Sequence, residues 1–410
     1  MLSKIENELL TRTGPGTPMG GLFRRYWIPA VLSEEISEPD SPPVQVRLLG
    51  EELVAFRDSR GRVGLLDEHC SHRGTSLYYG RNEDCGLRCI YHGWKYDVEG
   101  NVLETPAEPA GSDFRKKIRH KAYPCMEVAG IVFAYMGPEE QKPQFPNYEW
   151  AGMPQDHVYV SKVFLDCNFL QGLEGDCDSS HLSYLHKSFE AGAVGFENEG
   201  YAGDGAPRLE ATDTDYGIRM ISLRRSGPET NLFRVTNFVM PCQGFIPGGM
   251  EGMTTHYYVP IDDTHVWKYY VVCKRTRPLR EEERTLGTDV GPDYKKSRDL
   301  HNHYLQDRRA QKNQTFVGVG STFLVHDACA TETMGPIYDR SKEHLAASDV
   351  TVIAVRKFLL KAVKSFQAGE EPPHIVRGSA NNTFRHLVTI SEKLPTTVSP
   401  EQRLAQGMTE

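Results

Sequence analysis

Cys70-Ser71-His72-Arg73-Gly74 and, after sixteen residues beyond His72, Cys89-Ile90-Tyr91-His92-Gly93-Trp94 decide how the first third of this chain is read. Each half sets one thiol and one imidazole on a short loop after a strand-like run, VGLLDEHC in one case and LRCIYH in the other. Two such loops at neighbouring hairpin tips bring four ligand groups to one point. A lone Cys-x-His would read as a buried cysteine beside a surface histidine. Two mixed halves in matching β context point instead to a metal centre.

Outward from these loops the chain stays β-like. VQVRLL from Val44, ELVAFRD from Glu52, VGLLD from Val63, WKYDVEGNVLE from Trp94 and GIVFAYMG from Gly130 are short runs separated by turn signals, the pattern of successive hairpins. Residues 1–37 read as a helical or irregular arm packing on the catalytic domain, with GPGTPMGG as a turn cluster and RRYWIPA as an aromatic anchor. The expectation is an α+β protein: an all-β domain over 38–150, then an α+β catalytic domain over 151–410 with an antiparallel sheet covered by helices. The join falls in a proline-bearing stretch at about 140–152.

In the second domain RVTNFVMP, THYYVP and VWKYYVVC read as strands, and Tyr294 to Lys312 as a polar helix. SDVTVIAVRKFLLKAV is an amphipathic helix with Ser348 or Asp349 as N-cap. The 410 residues are 39% apolar and 25% charged, a composition that folds, and 37 glycines with 25 prolines suit a turn-rich β plan. A net charge of -8 argues against a nucleic-acid partner. No apolar run approaches a membrane span and the first residues carry charges, so a cytoplasmic protein without membrane contact is expected. Nine cysteines, an odd number spread from Cys70 to Cys329, do not form a disulfide scaffold. Cys85 has no histidine at either spacing and reads as a core residue.

Two cysteines and two histidines suit tetrahedral zinc or a Rieske [2Fe-2S] centre, in which two histidines replace two cysteines on one iron. Zinc fingers usually pair like with like along the sequence. Mixed halves fit the iron-sulfur arrangement, where each loop gives one residue to each iron. The flanks CSHRG and CIYHGWKYD match the two loops of Rieske domains.

A second constellation lies in NFLQGLEGDCDSSHLSYLHKS, which begins at Asn168 and holds Asp178, His181 and His186. At about 100° per residue, Asp178 and His181 lie about 60° apart around a helix, but His181 and His186 about 140° apart. The two histidines share an ion only if the helix breaks between them or carries a π-bulge. Two histidines and a carboxylate on one face of iron leave positions open for dioxygen.

Together these features resemble the Rieske non-heme iron ring-hydroxylating oxygenases. The GPGTPMG and RRYWIPA opening, the paired loops, Asp178-x2-His181-x4-His186 and ETMGPIYDRSKEHLAASD resemble the oxygenase components of the phthalate 4,5-dioxygenase group. The resemblance implies a mononuclear Fe(II) held by His181, His186 and a distant aspartate in an Asp-x4-Glu setting, here Asp327, with Glu332 in reserve. Asp339-Arg340 reads as a salt-bridged turn. It implies that Asp178 bridges this iron to the Rieske ligand His92 of a neighbouring subunit, hence a head-to-tail homotrimer or a hexamer of stacked trimers. Asn168 is expected beside the iron. The implied chemistry is O2-dependent hydroxylation of an aromatic small molecule, an aromatic carboxylate above all, with Arg219, Arg224, Arg225 and Arg234 as candidates for its charge. The alternatives are an aryl O-demethylase, a diaryl-ether-cleaving monooxygenase, or a non-catalytic Rieske electron carrier. The chain has no flavin or nicotinamide fingerprint, so a separate NAD(P)H-dependent flavin/iron-sulfur reductase is expected as electron donor.

Overall fold

The structure, a computed structural model, describes residues 1–109, 111–189, 204–248, 251–286, 289–384 and 386–407. The chain forms two compact units, Thr13–Phe145 in one and Met1–Arg12 with Pro146–Glu410 in the other. The expected arm over 1–37 is thereby split. Helix α1 (Lys4–Thr11), opened by a reciprocal Ser3–Glu6 capping box, goes with the later unit. The rest belongs to the earlier unit. GPGTPMGG holds helix α2 (Pro18–Phe23), capped by the Thr17 hydroxyl with proline in its first turn. RRYWIPA runs into strand β1 (Trp27–Leu32).

The earlier unit has three small antiparallel sheets. β2 (Val44–Leu48), β3 (Glu51–Arg57) and β4 (Val63–Asp67) form a meander joined by the short β9 (Ala122–Tyr123). β5 (Arg81–Glu83), β6 (Gly86–Arg88), β7 (Lys95–Tyr96) and β8 (Val102–Glu104) form a second. β10 (Cys125–Val128) and β11 (Ile131–Tyr135) form the third, and β1 pairs along β11. That pairing is why the aromatic anchor belongs here rather than to an arm. Phe56, Leu66, Leu77, Leu87 and Trp94 make a buried core around Cys70 and Cys89. Cys85 is not in it. With Asp84 it forms the two-residue turn between β5 and β6, both at positive φ (48° and 61°), and its N–H donates to the Ser59 hydroxyl.

The later unit is built on one antiparallel sheet. Its strands are β12 (Val158–Leu165), β13 (Arg208–Asp213), β14 (Gly217–Arg225), β15 (Thr230–Val239), β16 (Gln243–Pro247), β17 (Gly252–Pro260) and β18 (Val266–Lys274). They pair in the order β12-β18-β17-β16-β15-β14-β13, and β19 (Ile390–Pro395) adds on to β15. Helices α3 (Phe169–Cys177) and α6 (Val350–Gln367) cover it, and α5 (Phe323–Glu332) packs on α3. α3 lies so close to β17 that a Cβ at Gly172 would come within 2.5 Å of the Tyr258 ring, so only glycine fits there.

α6 is the expected amphipathic helix, but its N-cap Asp349 uses its carboxylate on the Ala346 N–H and not on the helix. The polar helix expected from Tyr294 to Lys312 is absent apart from α4 (Ala310–Asn313). Asp299 takes the His301 and Asn302 N–H groups, and His303, Tyr304 and Leu305 turn to positive φ. Local capping by Asp and Asn has outcompeted the helical ladder. Among the described residues no helix is long and apolar enough to cross a membrane.

Candidate functional site

The two Cys-His loops share one hydrogen-bond plan. Cys70 N–H donates to Thr75 O and Gly74 N–H to Cys70 O; Cys89 N–H donates to Trp94 O and Gly93 N–H to Cys89 O. Each loop thus closes on its cysteine, and the glycine four residues later turns at positive φ, 75° for Gly74 and 74° for Gly93. Both sulfurs are buried, and the His72 and His92 rings lie 4.5 Å apart between centroids. His72 is fixed by stacking on Trp94 at 4.6 Å. Burial pushes the Cys89 thiol up, with Cys70 beside it adding to the shift, and burial with neighbouring His72 and Arg73 pushes His92 down. Two imidazoles and two sulfurs converging in this way suit a metal cluster. The donor set fits a Rieske [2Fe-2S] cluster.

The second centre arises because α3 stops. Asp178 at its C-terminus is extended (φ -100°, ψ 112°), and its carboxylate takes the Ser180 N–H at 2.6 Å. The chain then makes a single 3-10 turn, His181–Ser183. This break lets both histidines face Asp327 on α5: His186 Nε2 lies 3.0 Å and His181 Nε2 3.8 Å from Asp327 Oδ1. One ligand atom from each of the three lies within 4.8 Å of the others.

Outer partners set the tautomers. His326 Nε2 donates to Gly320 O at 2.9 Å, so its Nδ1 accepts from His186 Nδ1 at 3.3 Å. The carboxylate of Asp178 lies 3.6 Å from His181 Nδ1. Each imidazole is thereby steered to carry its proton on Nδ1 and present the Nε2 lone pair to the shared point. Burial works against the Asp327 charge, yet His186, Lys268 and His181 hold its carboxyl well below the usual range. Two imidazole nitrogens and one carboxylate oxygen, open on one side, fit a mononuclear iron.

Other expected residues lie elsewhere. Asn168 caps the far end of α3, accepting the Leu170 N–H and donating to Thr11 O and Asp263 O. At 1.5 Å per residue the helix sets it about 13 Å from the ligand end, so it anchors the N-terminal segment. Glu332 is buried with Lys296 at 2.7 Å and takes the Asp166 N–H, a structural ion pair. Asp339 pairs with Lys342, while Arg340 reaches Glu174 instead.

No arginine reaches the iron-side cavity among its described lining residues. Arg219 donates to His386 O, Arg225 is exposed and donates to Pro228 O, and Arg234 is buried in β15 between Ser222 and Ser391. Arg224 is buried beneath the 3-10 turn and donates to the Ser179 and Ser183 hydroxyls. It braces the segment carrying His181.

The cavity, about 170 Å³, opens on His181 and Asp327 and is lined mainly by apolar side chains such as Leu165, Leu185, Leu324 and Val352. Its one described lysine or arginine is Lys268, with Asp176, Tyr258 and Tyr270 beside it. These had gone unread in the sequence. The available signal was parity: His256 and Tyr258 on β17 face Tyr270 and Lys268 on β18, one polar stripe along runs otherwise read as buried.

In the cavity wall Glu174 of α3 takes Arg340 at 2.9 Å and Arg356 at 2.6 Å. Glu174→Gln leaves buried guanidinium charge uncompensated, an expected loss of about 3 kcal/mol. The midpoint of the later unit's unfolding transition, read by scanning calorimetry, is expected to fall by roughly 6–12 °C.

Comparison with known proteins agrees with this geometry. Residues 26–124 match the family described as Rieske [2Fe-2S] domain, and residues 134–390 the family described as LigXa C-terminal domain like. The chain is 44% identical over 389 residues to the phthalate 4,5-dioxygenase oxygenase subunit of Pseudomonas putida, covering 90% of this chain and 88% of that protein. It is 32% identical to the 5,5'-dehydrodivanillate O-demethylase oxygenase subunit of a Sphingobium strain, covering 95% and 87%. Among solved structures, dicamba monooxygenase bound to dicamba superposes with a TM-score of 0.60 at 17% identity, over 85% of this chain and 99% of that one, a likeness of fold alone. The chain therefore belongs to the Rieske non-heme iron oxygenases, oxidoreductases that use a Rieske [2Fe-2S] cluster, a mononuclear iron and dioxygen, and within them to the oxygenase components of the phthalate 4,5-dioxygenase group.

Proposed function

We propose that this chain is a cytoplasmic terminal oxygenase that hydroxylates an aromatic carboxylate, taking electrons from a separate NAD(P)H-dependent flavin/iron-sulfur reductase. The observation that carries the reading is the cavity beside His181 and Asp327: about 170 Å³, largely apolar, with one lysine. Benzene fits a dry cavity of roughly 150 Å³, so the space suits one aromatic ring with small substituents.

Cys70, Cys89, His72 and His92 hold the cluster, and His181, His186 and Asp327 hold the iron. When bound, the cluster supplies single electrons and the iron supplies dioxygen activation. The protein's own part is placement. Asp178 and His326 keep protons on the Nδ1 atoms of His181 and His186, as their distances allow. The apolar wall fixes the ring and keeps bulk water out. Asp178, part-exposed at the end of α3, has a carboxylate free to accept an N–H from His92 of a neighbouring copy, which calls for a closed ring of three chains.

O-demethylation is the second reading, supported by the O-demethylase oxygenase subunit among the relatives, and diaryl-ether cleavage would use the same scaffold. A pure electron carrier would have no use for the His181–His186–Asp327 set. Incubating the enzyme, a generic reductase and NADH with a panel of aromatic acids, with and without methoxy groups, separates these. Hydroxylated or diol products support the main reading; formaldehyde with the demethylated acid supports the second; NADH oxidation without any aromatic product overturns both.

A further inference from the structure

We infer that Lys268 is the residue that binds the substrate's carboxylate, which makes the preferred substrate an aromatic acid with its charge anchored on β18; this rests on the reading of the chain as an aromatic oxygenase. Lys268 is 4% exposed and lines the cavity. Its Nζ lies over the rings of Tyr258 and Tyr270, 5.1 Å and 4.9 Å from their centroids. It stands 3.7 Å from Asp176 Oδ1, beyond hydrogen-bond reach. The other Asp176 oxygen takes His256 Nδ1 at 2.8 Å.

A buried ammonium is costly unless its three N–H groups find acceptors. The ring faces supply favourable charge but no lone pair along those bonds, and the Tyr270 hydroxyl serves one of the three donors. Asp176 already serves His256 and stops short of contact. A lysine serving only to neutralise Asp176 would close to about 2.8 Å. With Tyr270 serving one donor and Asp176 held at 3.7 Å, Lys268 is the basic side chain that the described cavity lining offers an entering carboxylate. A divalent iron would offset Asp178 and Asp327, Lys268 offsets Asp176, and Arg340 with Arg356 offsets Glu174, so an entering carboxylate would meet no net negative field.

Calorimetric titration of the oxidised holoenzyme with benzoate, benzamide and phenol tests this. The wild type is expected to bind benzoate at least about tenfold tighter than benzamide. Lys268→Met is expected to lower the benzoate-to-benzamide affinity ratio by about tenfold, the scale of a charge-assisted bond, and Lys268→Arg to keep most of it. Equal affinity for benzoate and benzamide in the wild type, an unchanged ratio in Lys268→Met, or phenol bound tighter than benzoate would each overturn the inference. If Lys268→Met fails to fold, the wild-type ratios and a Lys268→Gln variant carry the test. Binding and turnover separate the two levels. A benzoate preference lost in the variant, without oxygen-dependent product from the wild type, sinks the function alone. Product with no benzoate preference sinks the Lys268 assignment alone.

Discussion

The Cys89→Ser protein is expected to be colourless and inactive, with its iron content reduced to that of the mononuclear site. Cys89 is 3% exposed inside a loop that closes on its own backbone, N–H to Trp94 O and O from Gly93 N–H. Nothing else can move into its place without breaking that loop, and a serine hydroxyl does not replace a thiolate on an iron-sulfur cluster. The loss is also structural, because Cys70 and Cys89 sit in the core with Leu77, Leu87 and Trp94. Optical absorption, iron analysis and the reduced-state paramagnetic signal check it. Retained visible absorbance would refute the cluster assignment.

His186→Ala should do the reverse: keep the colour and lose turnover by more than about 100-fold, a loss that changes in outer-sphere partners already reach. The four proposed cluster ligands belong to Thr13–Phe145, whereas His186, Asp327 and the residues that orient them belong to the other unit. The lesion removes the shortest contact in the set, 3.0 Å to Asp327. Bleaching of the cluster in this variant would show that the two centres are not independently housed. The pair of variants has a further use. Mixed and reassembled, Cys89→Ser and His186→Ala chains should regain activity if electrons cross between copies, and remain inactive if each chain works alone.

The two groupings of metal-binding residue types were legible in the sequence because metal chemistry restricts residue types and spacings. Cys70-x-His72 and Cys89-x2-His92 need no knowledge of the sheets that carry them. The need for a break was legible, because a regular helix sets His181 and His186 about 140° apart, but its place was not: α3 already ends at Cys177, before both histidines, and a 3-10 turn follows at His181–Ser183. What stayed hidden depends on packing at long range. Asn168 carries the same side chain whether it caps a helix or faces a metal, and only its bonds to Thr11 and Asp263 decide. The arginines at 219, 224, 225 and 234 had the right charge, but strand parity and the neighbours at Ser179 and Ser391 turned them elsewhere. Lys268 lay inside VWKYYVVC, and its role emerges only when β17 places Tyr258 opposite it. The helix expected over 294–312 failed for a local reason, Asp299 capturing backbone N–H groups.

The most direct measurement is a single turnover in labelled dioxygen. Enzyme loaded with both metals is chemically reduced, freed of reductant, mixed with benzoate or phthalate and exposed to ¹⁸O2 without a reductase. The expected result is reoxidation of the cluster together with a hydroxylated aromatic acid carrying ¹⁸O, and no such product from His186→Ala. Reoxidation that yields only hydrogen peroxide across the panel of aromatic acids, or product whose oxygen comes from water, would contradict the assignment of this chain as the oxygenase.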